Sequence, residues 1–227
     1  MVDRSPIILA VDTVDLDQAK SLIEQTRPYI SIYKFGLEFY LRHGLRTMRT
    51  LKQEFEFDLF LDLKLHDIPN TVFKAAAAVS ELEPYILTVH ASGGGDMVSG
   101  ACRALPSTLV AAVTILTSLG QKDIETMGFH ADIAELVETL ADEAVKAGAS
   151  ALVTSPHEVA LLKRSFPSVT MITPGIRSSK DEVGDQNRVM SAKEAIEQGS
   201  DLLVVGRPIT SHSSPGQAAQ EILRSLE

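Results

Sequence analysis

The sequence predicts an α/β protein, a single-domain (β/α)8 TIM barrel spanning residues 1–227, and three observations predict it. Eight short aliphatic, β-branched runs recur along the chain, and helix-like stretches separate them. Hydrophobic residues make up 44% of the chain while aromatic residues are only 5% and Trp is absent, so the core must be built from Ala, Val, Ile and Leu. Apolar strands of that kind, without polar alternation, belong to parallel sheets covered by helices on their faces.

The strand runs are IILAVD (7–12), SIYKF (31–35), DLFLDLK (58–64), ILTVHA (86–91), LVAAVTI (109–115), SALVT (150–154), VTMIT (169–173) and DLLVVG (201–206). They are too short to span a membrane and too apolar for a sheet with one wet face. Six helical patterns stand out between and after them. DLDQAKSLIEQT opens with Asp15, a good N-cap residue. LEFYLRHGLRTMRTLKQE carries apolar residues at helical spacing across 37–54. NTVFKAAAAVSEL follows Pro69, which suits a first helical turn. ADIAELVETLADEAVKAG and SAKEAIEQG stop at Gly148 and Gly199, and GQAAQEILRSLE is the last. Strand-then-helix units imply parallel pairing with right-handed crossovers. Eight units are the number that closes a barrel, although an open doubly wound sheet fits the pattern as well.

Two connections are long, from Leu116 to His130 and from Pro174 to Met190. Strand-to-helix loops sit on the C-terminal face of a barrel, where active sites are built, so both are candidate lids as well as candidate surface excursions.

The formal net charge of −9 argues against non-specific nucleic-acid binding and against anionic membranes. A local group of Lys and Arg can still receive an anionic small molecule. The single cysteine, Cys102, excludes an intrachain disulfide and points to a reduced, cytoplasmic setting. It reads as a packed residue. The opening MVDRSPIILAVD lacks the apolar stretch of a secretory leader, and no run approaches the roughly 20 residues of a membrane helix.

The densest chemical signal is LFLDLKLHDIPNTV (59–72). Asp62 and Lys64 are two apart on a strand, so they share a face, roughly 6.5 Å apart along the chain. Asp67 follows in the loop. Alone, D-x-K-x-x-D reads equally as a structural ion pair, a solvated loop or a site. Its neighbours favour a site. Lys34 ends the second run and Asp12 the first, so Asp12, Lys34, Asp62 and Lys64 converge at one rim of three adjacent strands. Such an array is expensive to bury and makes sense where chemistry is done. A second signal lies across the barrel: TPGIR (173–177) and VVGRPI (204–209) end strands seven and eight, where barrels hold phosphate. Gly206 admits close backbone approach, and Arg207 offers a bidentate fork, with Arg177 in the preceding loop. Of the histidines, His90 closes the fourth run and reads as packed or hydrogen-bonded, with a rim ligand the alternative, and His66 reads as orienting the charged motif. No Cys/His set suggests zinc, and no P-loop, G-x-S-x-G or dinucleotide fingerprint appears.

ILAVD, YKFG, FLDLKLHDIPNT, VHASGG, TILTS, TPGIR, GDQNRVMSAKEAI and VVGRPI occur in this order over nearly the whole chain. In this the chain resembles the bacterial orotidine 5′-phosphate decarboxylases. D-x-K-x-x-D-I-P-N-T is the most specific piece. The resemblance implies cofactor-free decarboxylation of orotidine 5′-monophosphate to UMP, without metal, in a homodimer with shared active sites. It implies a charged tetrad at Lys34, Asp62, Lys64 and Asp67, with Lys64 the proton donor. It implies that Asp67 and Thr71 serve the neighbouring subunit's site and that Asp12 and Lys34 hold the ribose hydroxyls. Thr117, with Ser118 beside it as the other candidate, resembles the residue near the pyrimidine. Arg177, Gln186, Gly206 and Arg207 resemble the phosphate ligands, Gln186 on a closing loop. The rivals are a Mg²⁺-dependent sugar-phosphate decarboxylase or aldolase on the same barrel, which shares D-x-K-x-x-D but is not expected to carry I-P-N-T, and a barrel that binds a nucleotide without turning it over.

Overall fold

The computed structural model describes residues 5–176 and 190–226. Its eight strands are β1 (Ile7–Ala10), β2 (Ile32–Gly36), β3 (Asp58–Leu65), β4 (Ile86–His90), β5 (Leu109–Val113), β6 (Ala151–Val153), β7 (Thr170–Thr173) and β8 (Leu202–Val205). Each pairs in parallel with its sequence neighbour, and β8 returns to β1 through Ile8↔Val204. The sheet is therefore a closed barrel, not an open doubly wound sheet. Every strand boundary lies within two residues of the run read from the sequence.

The helices are α1 (Leu16–Thr26), α2 (Leu37–Phe55), α3 (Pro69–Ala78), α4 (Gly95–Ala104), α5 (Gln121–Thr126), α6 (Ile133–Lys146), α7 (Val159–Ser165), α8 (Ala192–Glu197), α9 (Arg207–Thr210) and α10 (Pro215–Arg224). Asp15 caps α1, its Oδ1 accepting from the Gln18 N–H at 2.9 Å. Gly148 and Gly199 follow α6 and α8 at φ 106° and 105°, a left-handed stop that side chains resist. The helix expected over 37–54 is not continuous: Gly44 breaks α2 with φ 68° and ψ −175°. The 116–130 connection contains α5 and so is not wholly irregular. No helix of the described residues is long and apolar enough to cross a membrane.

Two apolar layers follow from strand alternation. Leu9, Tyr33, Leu61, Leu87, Ala112, Leu152, Met171 and Leu203 pack outward in the large core beneath the helices. Ile8, Ala10, Ile32, Phe60, Ile86, Ala111, Ala151, Ile172, Leu202 and Val204 form a second cluster that fills the barrel. Packed side chains make the interior a floor rather than a pore. One step further along the inner row, at the C-terminal rim, the chain places Asp12, Lys34, Asp62 and Thr88 on or just past the ends of β1–β4. On or just past the ends of β5–β8 it places Val113, Val153, Pro174 and Gly206. The rim is polar on one half and apolar on the other.

Candidate active site

β3 does not keep a regular ladder to its end. Leu61 pairs with Leu87 but Leu65 with Val89, so four residues of β3 oppose two of β4. Lys64 sits in this bulge with φ 46°, a left-handed conformation that is unusual for a side-chain-bearing residue. Bulges of this kind re-aim side chains, and here the ammonium turns back onto Asp62. The Lys64 Nζ donates to Asp62 Oδ1 at 2.7 Å. Simple alternation gives the correct neighbours, but the bulge brings their charged ends together.

Asp62 is the hub. Its Oδ2 lies 3.1 Å from Lys34 Nζ, and Lys34 also donates to Asp12 Oδ1 at 3.4 Å. The Lys34 and Asp62 side chains are only 11% and 12% exposed, whereas Asp12 is 65% exposed, so the first pair carries most of the electrostatic weight and the second little. Burial opposes the charge on Asp62, but Lys34 and Lys64 outweigh it and hold the carboxyl below its ordinary range. Burial likewise pulls Lys34 down, while Asp62 and then Asp12 more than offset it and leave the ammonium raised. Both groups are thus held ionised across the neutral range.

Thr88 is the residue that sequence reading missed. Its hydroxyl donates to Asp62 Oδ1 at 3.0 Å and accepts the Lys64 backbone N–H at 2.9 Å. A signal existed: Thr88 is the polar residue at the inner-row position of the apolar strand that follows Asp62. His66 and His90 lie 5.4 Å apart between ring centroids with their planes tilted by 44°, and neither lines the cavity at the barrel mouth. Burial, and then the neighbouring His66 and Lys64, lower the His90 pKa, with Asp62 opposing them.

These groups open into a cavity of about 680 Å³ at the C-terminal mouth of the barrel, a size suited to a small ligand. Asp12, Lys34, Asp62, Lys64, Thr117, Gly206 and Arg207 all line it, so seven of the expected site residues come together. Ser118 is not among the lining residues. Phe60, Val113, Val153 and Val204 supply an apolar floor. A Cβ on Gly206 would lie 3.6 Å from Asp12 Oδ2, so a side chain there would occupy the space between the two halves of the rim. Three cations face two carboxylates in this lining, a local excess opposite in sign to the chain's net charge of −9. Asp67 and Thr71 are not brought in. They lie exposed at the start of α3, where Asp67 Oδ1 accepts its neighbour Ile68's N–H at 2.7 Å. Arg177 and Gln186 fall outside the described residues.

Residues 5–222 match the model of the Orotidine 5′-phosphate decarboxylase / HUMPS family. An orotidine 5′-phosphate decarboxylase of Thermobifida fusca is 46% identical over 224 residues, covering 98% of this chain and 96% of that protein. One from Sphingopyxis alaskensis is 43% identical over 226 residues, covering 98% and 99%. The crystal structure of orotidine 5′-phosphate decarboxylase from Lactobacillus acidophilus superposes with a TM-score of 0.87 at 33% identity, over 99% of this chain and 100% of that one.

Proposed function

Because this chain belongs to the Orotidine 5′-phosphate decarboxylase / HUMPS family, we propose that it removes CO2 from orotidine 5′-monophosphate to give UMP, the last step of de novo pyrimidine nucleotide synthesis. The observation that carries the reading is the Lys34–Asp62–Lys64 array at the inner rim, with Asp62 held between two ammonium groups 3.1 and 2.7 Å away.

Breaking the C6–carboxylate bond leaves an electron pair in an sp² orbital of C6 that the pyrimidine ring cannot readily delocalise. The Lys64 ammonium stabilises that developing charge and then delivers its proton to C6. Asp62 fixes the ammonium and, as a second anion beside the substrate carboxylate, favours its departure. At about 4 Å two such charges repel by roughly 4 kcal/mol at an effective dielectric of 20. Lys34 keeps Asp62 ionised and, with Asp12, receives the ribose hydroxyls. Thr117 faces the pyrimidine. Gly206 and Arg207 take the phosphate, joined by Arg177 and Gln186. The binding energy of this remote group is then spent on orienting the reacting carbon. No step in this scheme calls on a cofactor or metal.

Residues 1–227 act as one catalytic domain in the cytoplasm, as a homodimer. Asp67 and Thr71 reach the neighbouring subunit's site, a role supported by their exposure at the rim beside the exposed Ile68.

The test is to follow the loss of ultraviolet absorbance when purified protein meets orotidine 5′-monophosphate, with and without EDTA. Turnover in both arms is expected. Loss of activity in EDTA would transfer the chain to metal-assisted chemistry, and binding without CO2 release would make it a nucleotide-binding barrel.

A further inference from the structure

We propose that Thr88 is a positioning residue for this site, one hydroxyl that fixes both the backbone of the proton donor and the carboxylate beside it; its role in turnover rests on the decarboxylase reading. The argument begins with the bulge. Between Leu61 and Leu65 the β3–β4 ladder slips, and Lys64 takes φ 46°. A left-handed lysine persists only where its surroundings over-determine it. The Lys64 N–H is held by the Thr88 Oγ1 at 2.9 Å, a side chain doing the work of a strand carbonyl.

A threonine hydroxyl has one hydrogen. Since Oγ1 accepts from the Lys64 N–H, its own hydrogen is free for Asp62 Oδ1, 3.0 Å away. That oxygen also receives the Lys64 ammonium at 2.7 Å, while Oδ2 faces Lys34 at 3.1 Å. Thr88 therefore closes a small ring: Lys64 backbone, Thr88 hydroxyl, Asp62 carboxylate, Lys64 ammonium. Both ends of the lysine are referenced to one point. Thr88 is 1% exposed and does not line the cavity, so it touches no substrate and acts only through its two neighbours. Its β-branch limits χ1, which keeps the hydroxyl aimed before substrate arrives.

The test compares Thr88→Val and Thr88→Ser in the full chain. Valine keeps the shape and deletes both hydrogen bonds. Its kcat should fall about tenfold or more, the scale of one hydrogen bond to a charged group, with KM little changed because no substrate contact is lost. The acidic limb of the kcat profile should move to higher pH, because Asp62 loses a donor that favours its ionised form. Serine should restore most of kcat and the position of that limb. The Lys64 amide should exchange with solvent faster in the valine variant and near the wild-type rate in the serine variant. If valine prevents folding, Thr88→Cys, with a thiol that is a weak donor and acceptor, carries the same expectations in smaller measure. Unchanged kcat and Lys64 exchange in the valine variant would overturn the proposal, and so would equal losses in valine and serine. Failure of the wild type to decarboxylate would overturn the decarboxylase reading alone; amide exchange would still decide whether Thr88 holds Lys64.

Discussion

Asp62→Asn keeps the shape of the hub and removes its charge. In the wild type, Asp62 attracts Lys34 across 3.1 Å and Lys64 across 2.7 Å, gross energies of about 5 and about 6 kcal/mol at an effective dielectric of 20. Those sums are not the expected loss, since the variant also escapes the cost of burying a carboxylate. Breaking a buried pair from one side typically costs about 3–5 kcal/mol. The amide oxygen can still accept from Lys64 and Thr88, so the damage concentrates at Lys34, which would face an N–H₂ group. A stability loss near the lower bound, about 3 kcal/mol, is therefore expected at neutral pH. A fall in kcat of roughly 100- to 1000-fold should accompany it, the scale of losing one preorganised electrostatic group.

The pH dependence fixes the cause. Asp62 is held below the ordinary carboxylate range, so its contribution exists above that range and disappears as pH falls through the folded value. Lys34 is held above the ordinary lysine value, so its contribution exists below that value and disappears as pH rises through the folded one. Denaturant unfolding across pH should show the wild-type advantage as a plateau that declines at both ends. A constant offset at every pH would refute this account and assign the loss to packing.

Lys64→Ala should fold and lose nearly all turnover, because it removes the proposed proton donor to C6 and the Lys34 ammonium left beside Asp62 is held between Asp62 and Asp12; near-normal turnover would end the proposed role. Wild-type reaction in D2O should leave deuterium at C6 of UMP, and its absence would show that no exchangeable group protonates the carbanion. Arg207→Ala should weaken orotidine 5′-monophosphate far more than phosphate-free orotidine, since a guanidinium on the phosphate has nothing to hold when the phosphate is gone; equal losses would move Arg207 out of the phosphate site. Lys64→Ala and Asp67→Ala, each inactive, should recover about a quarter of the wild-type activity when mixed with subunit exchange, because half the dimers are mixed and one of their two sites is intact. No recovery, with exchange shown independently, would place Asp67 in its own subunit's chemistry.

The strands were legible because burial on both faces leaves an unbroken aliphatic run, as in Leu202–Val205. The long helices were legible from caps and period: Asp15 before α1, Gly148 after α6. α4 and α7 were not singled out. α4 buries Met97, Val98 and Ala101 on one face but carries Gly, Ser and Ala where large apolar residues would mark a helix, and α7 is only seven residues long. The break in α2 at Gly44 was missed because apolar spacing continues past it. At the site, the charged residues could be placed by strand ends alone, since a rim position is a matter of counting. The bulge at Lys64 could not, because a slipped ladder leaves the sequence of β3 unchanged. Thr88 leaves only a partial trace, a polar residue at an inner-row position, because its partners are a backbone N–H and a carboxylate oxygen on another strand.

The division of the rim explains why this barrel tolerates a charged array. The inner row is apolar up to Ala10, Ile32, Phe60 and Ile86 on β1–β4, and its polarity begins one step higher, at Asp12, Lys34, Asp62 and Thr88. Each polar group there finds a partner on an adjacent strand: Asp12 with Lys34, Lys34 with Asp62, Asp62 with Thr88. Pairing around the barrel, not along a strand, lets four consecutive strand ends satisfy one another without drawing on β5–β8. That leaves Val113, Val153 and Gly206 free to shape the opposite wall. Moving any one of the three charged groups to the far side would strand a charge on the apolar floor, where burial without a partner is most costly. The array is therefore confined by stability to one half of the rim, and a substrate that needs both ammonium groups and an apolar face must lie across the mouth between the two.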